Sequence, residues 1–129
     1  MKKFILTLLM VFTVGVAFSQ VKYFQTTQFS YKYLTEYNYW TDWSDWEKCI
    51  AKVKLDLDDD KITIYTKETQ IYYVYDYLGE VEDDYGQTIK FAVIDHEEDY
   101  GHIRLRVQNN GTKQLYVDFN DIMWVYNLK

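Results

Sequence analysis

Three groups of residues have the types and spacing that chemistry needs. The first is Trp40, Trp43 and Trp46, at every third position and interleaved with Asp42 and Asp45. Exposed indoles beside carboxylates can stack on a sugar or anchor a protein partner, because indole offers an apolar face and a polar N–H. Buried, the same rings would plug one end of the fold. The second group is His96 and His102, with Glu97, Glu98 and Asp99 between them. Two imidazoles and a carboxylate can hold zinc. The helical zinc proteases set their histidines four apart, with a glutamate after the first, and this chain does not. A solvated hairpin tip is the favoured reading, and no metal is assigned. The third group is Asp56, Asp58 and Asp60, alternating like the start of a calcium loop. That loop needs glycine sixth and a bidentate glutamate twelfth, where this chain has Lys61 and Lys67. Such calcium binding is therefore rejected in favour of a charged turn.

Little else here could carry catalysis. Cys49 is the single cysteine, and it sits on an alternating apolar series, which suits a small buried hydrophobe. No histidine is placed beside it as a base. No serine occupies a strained, glycine-flanked turn. Carboxylates are plentiful, but they fall on loops and turns. The expectation is a protein that is not an enzyme and uses no cofactor. Tyr65, Tyr72 and Tyr116 fall on the face opposite the inferred core. They form an aromatic patch for a partner, or become core if a second sheet covers them.

The elements that position these residues are strands. Ala51, Val53, Leu55 and Leu57 alternate with polar residues, as do Ile103, Leu105 and Val107, and as do Phe29, Tyr31 and Tyr33. Weaker alternation occurs at Ile62 and Ile64, at Ile71, Tyr73 and Tyr75, at Ile89, Phe91 and Val93, and at Leu115, Val117 and Phe119. There is no proline, which central strands exclude, and 19% of residues are aromatic. Facing residues share a side in an antiparallel pair. Leu57 is thus expected opposite Ile62, across a two-residue turn at Asp59-Asp60 that Asp58 and Lys61 close as an ion pair. Ile103 is expected opposite Phe119, across an odd loop centred on a left-handed Gly111, with Arg104 opposite Asp118. Phe91 is expected opposite Val107, which brings His96 opposite His102. A turn of helix is possible near Asp42 to Trp46, before a strand from about Lys48. The fold expected is all-β: one small antiparallel meander of seven or eight strands, closed or partly open as a barrel, with a two-sheet sandwich as the alternative.

The first residues indicate location. Lys2 and Lys3 precede an apolar run from Phe4 to Phe18, and Ala17-Phe18-Ser19 places small residues before a cut ahead of Gln20. This is the layout of a secretory signal peptide, too short in its apolar core to span a bilayer. The expected organisation is a leader at 1–19 and a single β domain at 20–129. Removing the leader's two lysines leaves 12 basic against 20 acidic residues, a balance of −8. So acidic a chain should be repelled by nucleic-acid phosphates and anionic lipid heads, and stable membrane insertion of the mature chain is not expected.

The ending of the leader at Ser19-Gln20, the stretch Trp43-Ser44-Asp45-Trp46 and the run Lys61-Ile62-Thr63-Ile64-Tyr65 carry a resemblance, together with Leu115-Tyr116-Val117-Asp118 and Trp124-Val125-Tyr126-Asn127. Along its whole mature length the chain resembles short exported proteins of unassigned function from gut Bacteroidota. That resemblance implies export and assigns no activity or site. The function expected is an exported, soluble, non-enzymatic domain that binds a protein partner or small ligand in the periplasm or outside the cell. Trp40, Asp42, Trp43, Trp46, Tyr65, Tyr72 and the barrel mouth are the candidate contacts. The alternative is an assembly protein that oligomerises through edge strands or the tyrosines.

Overall fold

Alternating apolar residues build nine strands among the described residues, 21–129, of the computed structural model. The leader expected at 1–19 lies outside the described residues. The strands are β1 (Val21–Tyr33), β2 (Glu47–Lys48), β3 (Lys52–Asp56), β4 (Lys61–Ile64) and β5 (Gln70–Asp83), then β6 (Gly86–Asp95), β7 (Tyr100–Gln108), β8 (Lys113–Asp118) and β9 (Ile122–Leu128). All pairings are antiparallel, and β9 returns to β1, with Tyr126 opposite Phe29 and Trp124 opposite Tyr31. Eight strands thus close into a barrel, and β2 adds a short ninth against Gln28 and Phe29 of β1. The barrel alternative of the expected fold is the one observed, and no helix forms at Asp42 to Trp46.

An eight-stranded barrel is just wide enough for its own side chains to fill it. Here Val53, Ile64, Phe91, Val93, Ile103 and Val117 meet inside, each at most 1% exposed. The alternate positions point outward and carry Lys52, Lys54, Lys90, Arg104 and Arg106. Apolar residues face in and charges face out, the reverse of a lipid-embedded barrel.

Most strands keep the faces that alternation predicts, but their registers differ. Leu55, not Leu57, faces Ile62, so the turn spans residues 57–60. The Asp56 side chain shapes it by accepting the Asp59 N–H at 3.2 Å, and Asp60 adopts a left-handed φ of 53°. The charge neighbour of Asp56 is Lys54, at 3.5 Å. Ile103 faces Val117 rather than Phe119, and Arg104 faces Tyr116. The odd loop and the left-handed Gly111 (φ 92°) are as expected, but the loop is centred on Asn110, with Gln108 bonding Thr112. Phe91 faces Ile103 rather than Val107. That puts His102 opposite Ala92 in mid-strand and leaves His96 in the loop beyond Asp95. The two histidines are not paired, and the candidate zinc site does not form.

Strand β5 also has the opposite parity to the one assigned. Tyr72 faces Ile62 and lies inside, 4% exposed, while Tyr73 and Tyr75 point outward. Ile71 to Tyr75 are apolar or aromatic on both faces, and tyrosine suits either side of a wall. The pattern therefore held no parity signal there. Tyr72 belongs to the core and not to an outer patch.

Candidate functional site

The connections split between the two barrel ends. Loops 65–69, 96–99 and 119–121 surround one mouth; the turns at 57–60, 84–85 and 109–112 lie at the other, with Val21 and Leu128. At the first mouth the filling stops short, leaving a recess of about 730 Å³.

The floor of the recess is aromatic. Phe119 lies nearly parallel to Trp124, with ring centroids 6.0 Å apart, and tilts against Tyr72 at 6.2 Å. A tight turn holds Phe119, whose N–H donates to the Ile122 carbonyl at 2.9 Å. Beside the rings, Gln70 uses both amide N–H groups and one of the two acceptor positions of its oxygen. Its Nε2 donates to Thr66 Oγ1 and to the Tyr126 hydroxyl, both at 3.1 Å. Its Oε1 accepts from the Tyr72 hydroxyl at 2.7 Å. The amide is thereby fixed in orientation, which gives the recess a pre-formed polar wall. The Trp124 indole nitrogen is buried close to the Tyr126 hydroxyl, and no described residue accepts a hydrogen bond from it.

The rim is acidic. Glu68, Asp95, Glu98, Asp99 and Asp121 line the recess, and no lysine or arginine does. One loop is shaped by Asp95, whose Oδ1 accepts the N–H groups of Glu97 and Asp99, each at 2.9 Å. Glu98 takes a left-handed φ of 67° to complete the turn.

Burial pushes the Tyr72 phenol far above its ordinary value of 10, helped by the nearby Tyr126 and Asp95. Tyr126 is raised by burial and by Cys49, against the opposing hydrogen bond from Gln70 and the nearby indole. Tyr77 is raised by burial and then by Glu80. In each the folded value exceeds the unfolded one. The neutral phenols thus support the fold fully below about pH 10, and that support is lost as pH rises through the folded values. In an alkaline titration followed by near-ultraviolet absorbance, Tyr72, Tyr77 and Tyr126 of the fourteen tyrosines should ionise last, together with loss of the β-sheet circular dichroism signal. A single step for all fourteen, with the fold intact, would contradict this burial.

The candidate residues of the tryptophan stretch lie elsewhere, on the outer wall. Trp40 is bridged to Leu34, and the Lys32 ammonium sits 5.7 Å from its ring and 4.7 Å from that of Trp43. Trp43 meets Tyr116 edge-on at 6.4 Å. Arg104 stacks over Tyr116 at 4.2 Å, and its Nε donates to Asp118 at 2.6 Å. Two tryptophans thus join a ladder of rings and cations rather than plugging the barrel. The segment that carries them crosses outside β1, where Ser30 donates to the Ser44 carbonyl at 2.6 Å. Outward-facing Ser30 and Val125 are almost fully buried beneath it. Trp46, Asp42 and Tyr65 are exposed and do not line the recess.

Tyr72 is thus the only one of the named contacts that reaches the mouth. Gln70, Phe119 and Trp124 were missed. The pair Phe119 and Trp124, flanking the short polar turn Asn120-Asp121 in an apolar stretch, was the available signal. Glu68 and Asp121 gave none, since acidic loop residues read as solvated.

The chain matches no protein family, no curated protein and no solved structure, so its functional reading is carried by the geometry of this mouth.

Proposed function

We propose that the chain is an exported, non-enzymatic β-barrel that holds a small ligand at its loop mouth, in the periplasm or outside the cell. The observation that carries this is the recess: in a barrel otherwise filled by its own side chains, one end keeps an open, aromatic-floored space with a fixed amide in its wall. Barrel mouths are preferred ligand sites, and a recess of this size suits a small molecule. Export rests on the leader at 1–19. The charged outer face supports a barrel that works in water, and the acidic balance argues against nucleic acid as a partner.

The test starts with the protein recovered from the exported fraction, whose intact mass should place its first residue at Gln20. A ligand-observed NMR screen of small neutral and charged fragments should then give binders that Thr69→Trp abolishes. Thr69 is an exposed loop residue on the rim, so the added indole should block the recess without unfolding the barrel. Binders that are indifferent to Thr69→Trp, or no binders at all, would sink the reading.

A second reading, self-assembly, draws on Tyr73, Tyr75 and Tyr100, which point outward, with Tyr75 and Tyr100 packed edge-to-face at 5.6 Å. Closure of β1 on β9 removes the edge-strand route to such assembly there. Sedimentation equilibrium distinguishes the two, because a monomer at every concentration leaves only the recess reading.

A further inference from the structure

We propose that the recess selects small organic cations, an ammonium head above all. This rests on the ligand-binding reading and gives its chemical class.

Three carboxylates elsewhere on the barrel have a basic partner: Asp56 has Lys54, Asp118 has Arg104 and Asp83 has Arg106. The five carboxylates of the mouth have none among the described residues, and no lysine or arginine lines the recess. The imidazole there, His96, lies 3.8 Å from Glu97. A cleft lined by one sign of charge concentrates the opposite sign. Beneath that rim lie the rings of Phe119, Trp124 and Tyr72, and an aromatic face attracts a cation through its quadrupole. Rim and floor are separate features, and both favour positive charge.

The arrangement also distinguishes an organic cation from a metal ion. Among the described residues, no three His, Cys, Asp or Glu side chains converge closely enough to hold a metal. The carboxylates ring the opening instead of meeting at a point. Such a spread field suits a bulky ammonium whose charge is shared over its methyl or methylene groups. An anion would be repelled, and a neutral molecule would gain the aromatic floor and the Gln70 wall but nothing from the acidic rim.

The test uses two molecules of the same shape, choline and 3,3-dimethylbutan-1-ol, which differ by the charge. Each is titrated into ¹⁵N-labelled protein of residues 20–129 while the Trp124 indole N–H and the Asn120 and Asp121 amides are followed. Choline should shift these signals saturably and bind at least about tenfold more tightly than the alcohol. The exposed double variant Glu68→Gln with Asp121→Asn should weaken choline several-fold and leave the alcohol unchanged. Equal binding of both molecules would overturn cation selection and leave the recess reading intact. If neither probe moves the mouth signals, cation selection falls; the recess reading falls with it only if the fragment screen is also empty.

Discussion

Phe91→Ala should remove most of the stability of this barrel, at a cost of about 3–5 kcal/mol. The ring sits at the centre of the wall formed by β5, β6 and β7, opposite Ile103 on one side and Tyr77 on the other. It is 1% exposed, and its centroid lies 5.7 Å from that of Tyr77. Interiors of this kind are close-packed, and a closed barrel has little freedom to collapse around a void, because its hydrogen-bonded ring fixes the circumference. Small domains are stable by only about 5–15 kcal/mol, so one such loss leaves a marginal protein. Urea unfolding should show a much lower midpoint with an unchanged slope. A loss below about 1 kcal/mol would mean that the interior is not packed as described.

Gly101→Ala should damage both fold and site. A β-carbon at Gly101 would lie 2.6 Å from the Asp118 carbonyl oxygen and 2.9 Å from two carbons of the Phe119 ring. The carbonyl belongs to a strand paired on both sides and has little room to retreat, so β7 must back away and the Phe119 ring must shift. Overpacking of this kind costs about 1–3 kcal/mol. Because the ring that must give way is part of the recess floor, fragment binding should fall by about tenfold as well, the equivalent of about 1.4 kcal/mol. Gly86→Ala is the control. Its β-carbon would run into the Val107 carbonyl oxygen at the opposite end of the barrel. That variant should melt early yet bind fragments as the parent does. Equal binding by both variants would separate Phe119 from the site.

What the chain disclosed in advance follows from what a period of two can encode. Val53, Leu55, Ile103, Leu105, Leu115 and Val117 were assigned inward and are inward, because alternation distinguishes one face from the other. It does not distinguish one register from another two residues away. All three hairpins misassigned from sequence, β3–β4, β6–β7 and β7–β8, slipped along the strand while keeping each side chain on its face. Turn chemistry decided the rest. Asp56 capping Asp59 favours a four-residue connection over the two-residue one, and Asp95 accepting two loop N–H groups draws the 96–99 loop tight. These carboxylates resemble any other aspartate in a linear reading. The site was harder still to foresee, since Gln70, Phe119 and Trp124 come from separate loops and strands and meet only after the barrel closes.

That closure also orders events in time. β1 and β9 join the two ends of the described chain, with Thr26 opposite Leu128 and the Lys129 N–H bonded to the Gln25 carbonyl. Until the last strand has emerged, the first has no partner on that side, and the floor residue Trp124 is not yet in place. Contacts this distant in sequence slow folding, typically into the millisecond-to-second range. A nascent chain lacking β9 therefore stays unclosed during synthesis, with β1 and β8 each open on one side. The barrel is built to finish late, and its mouth takes its final form only with the last strand.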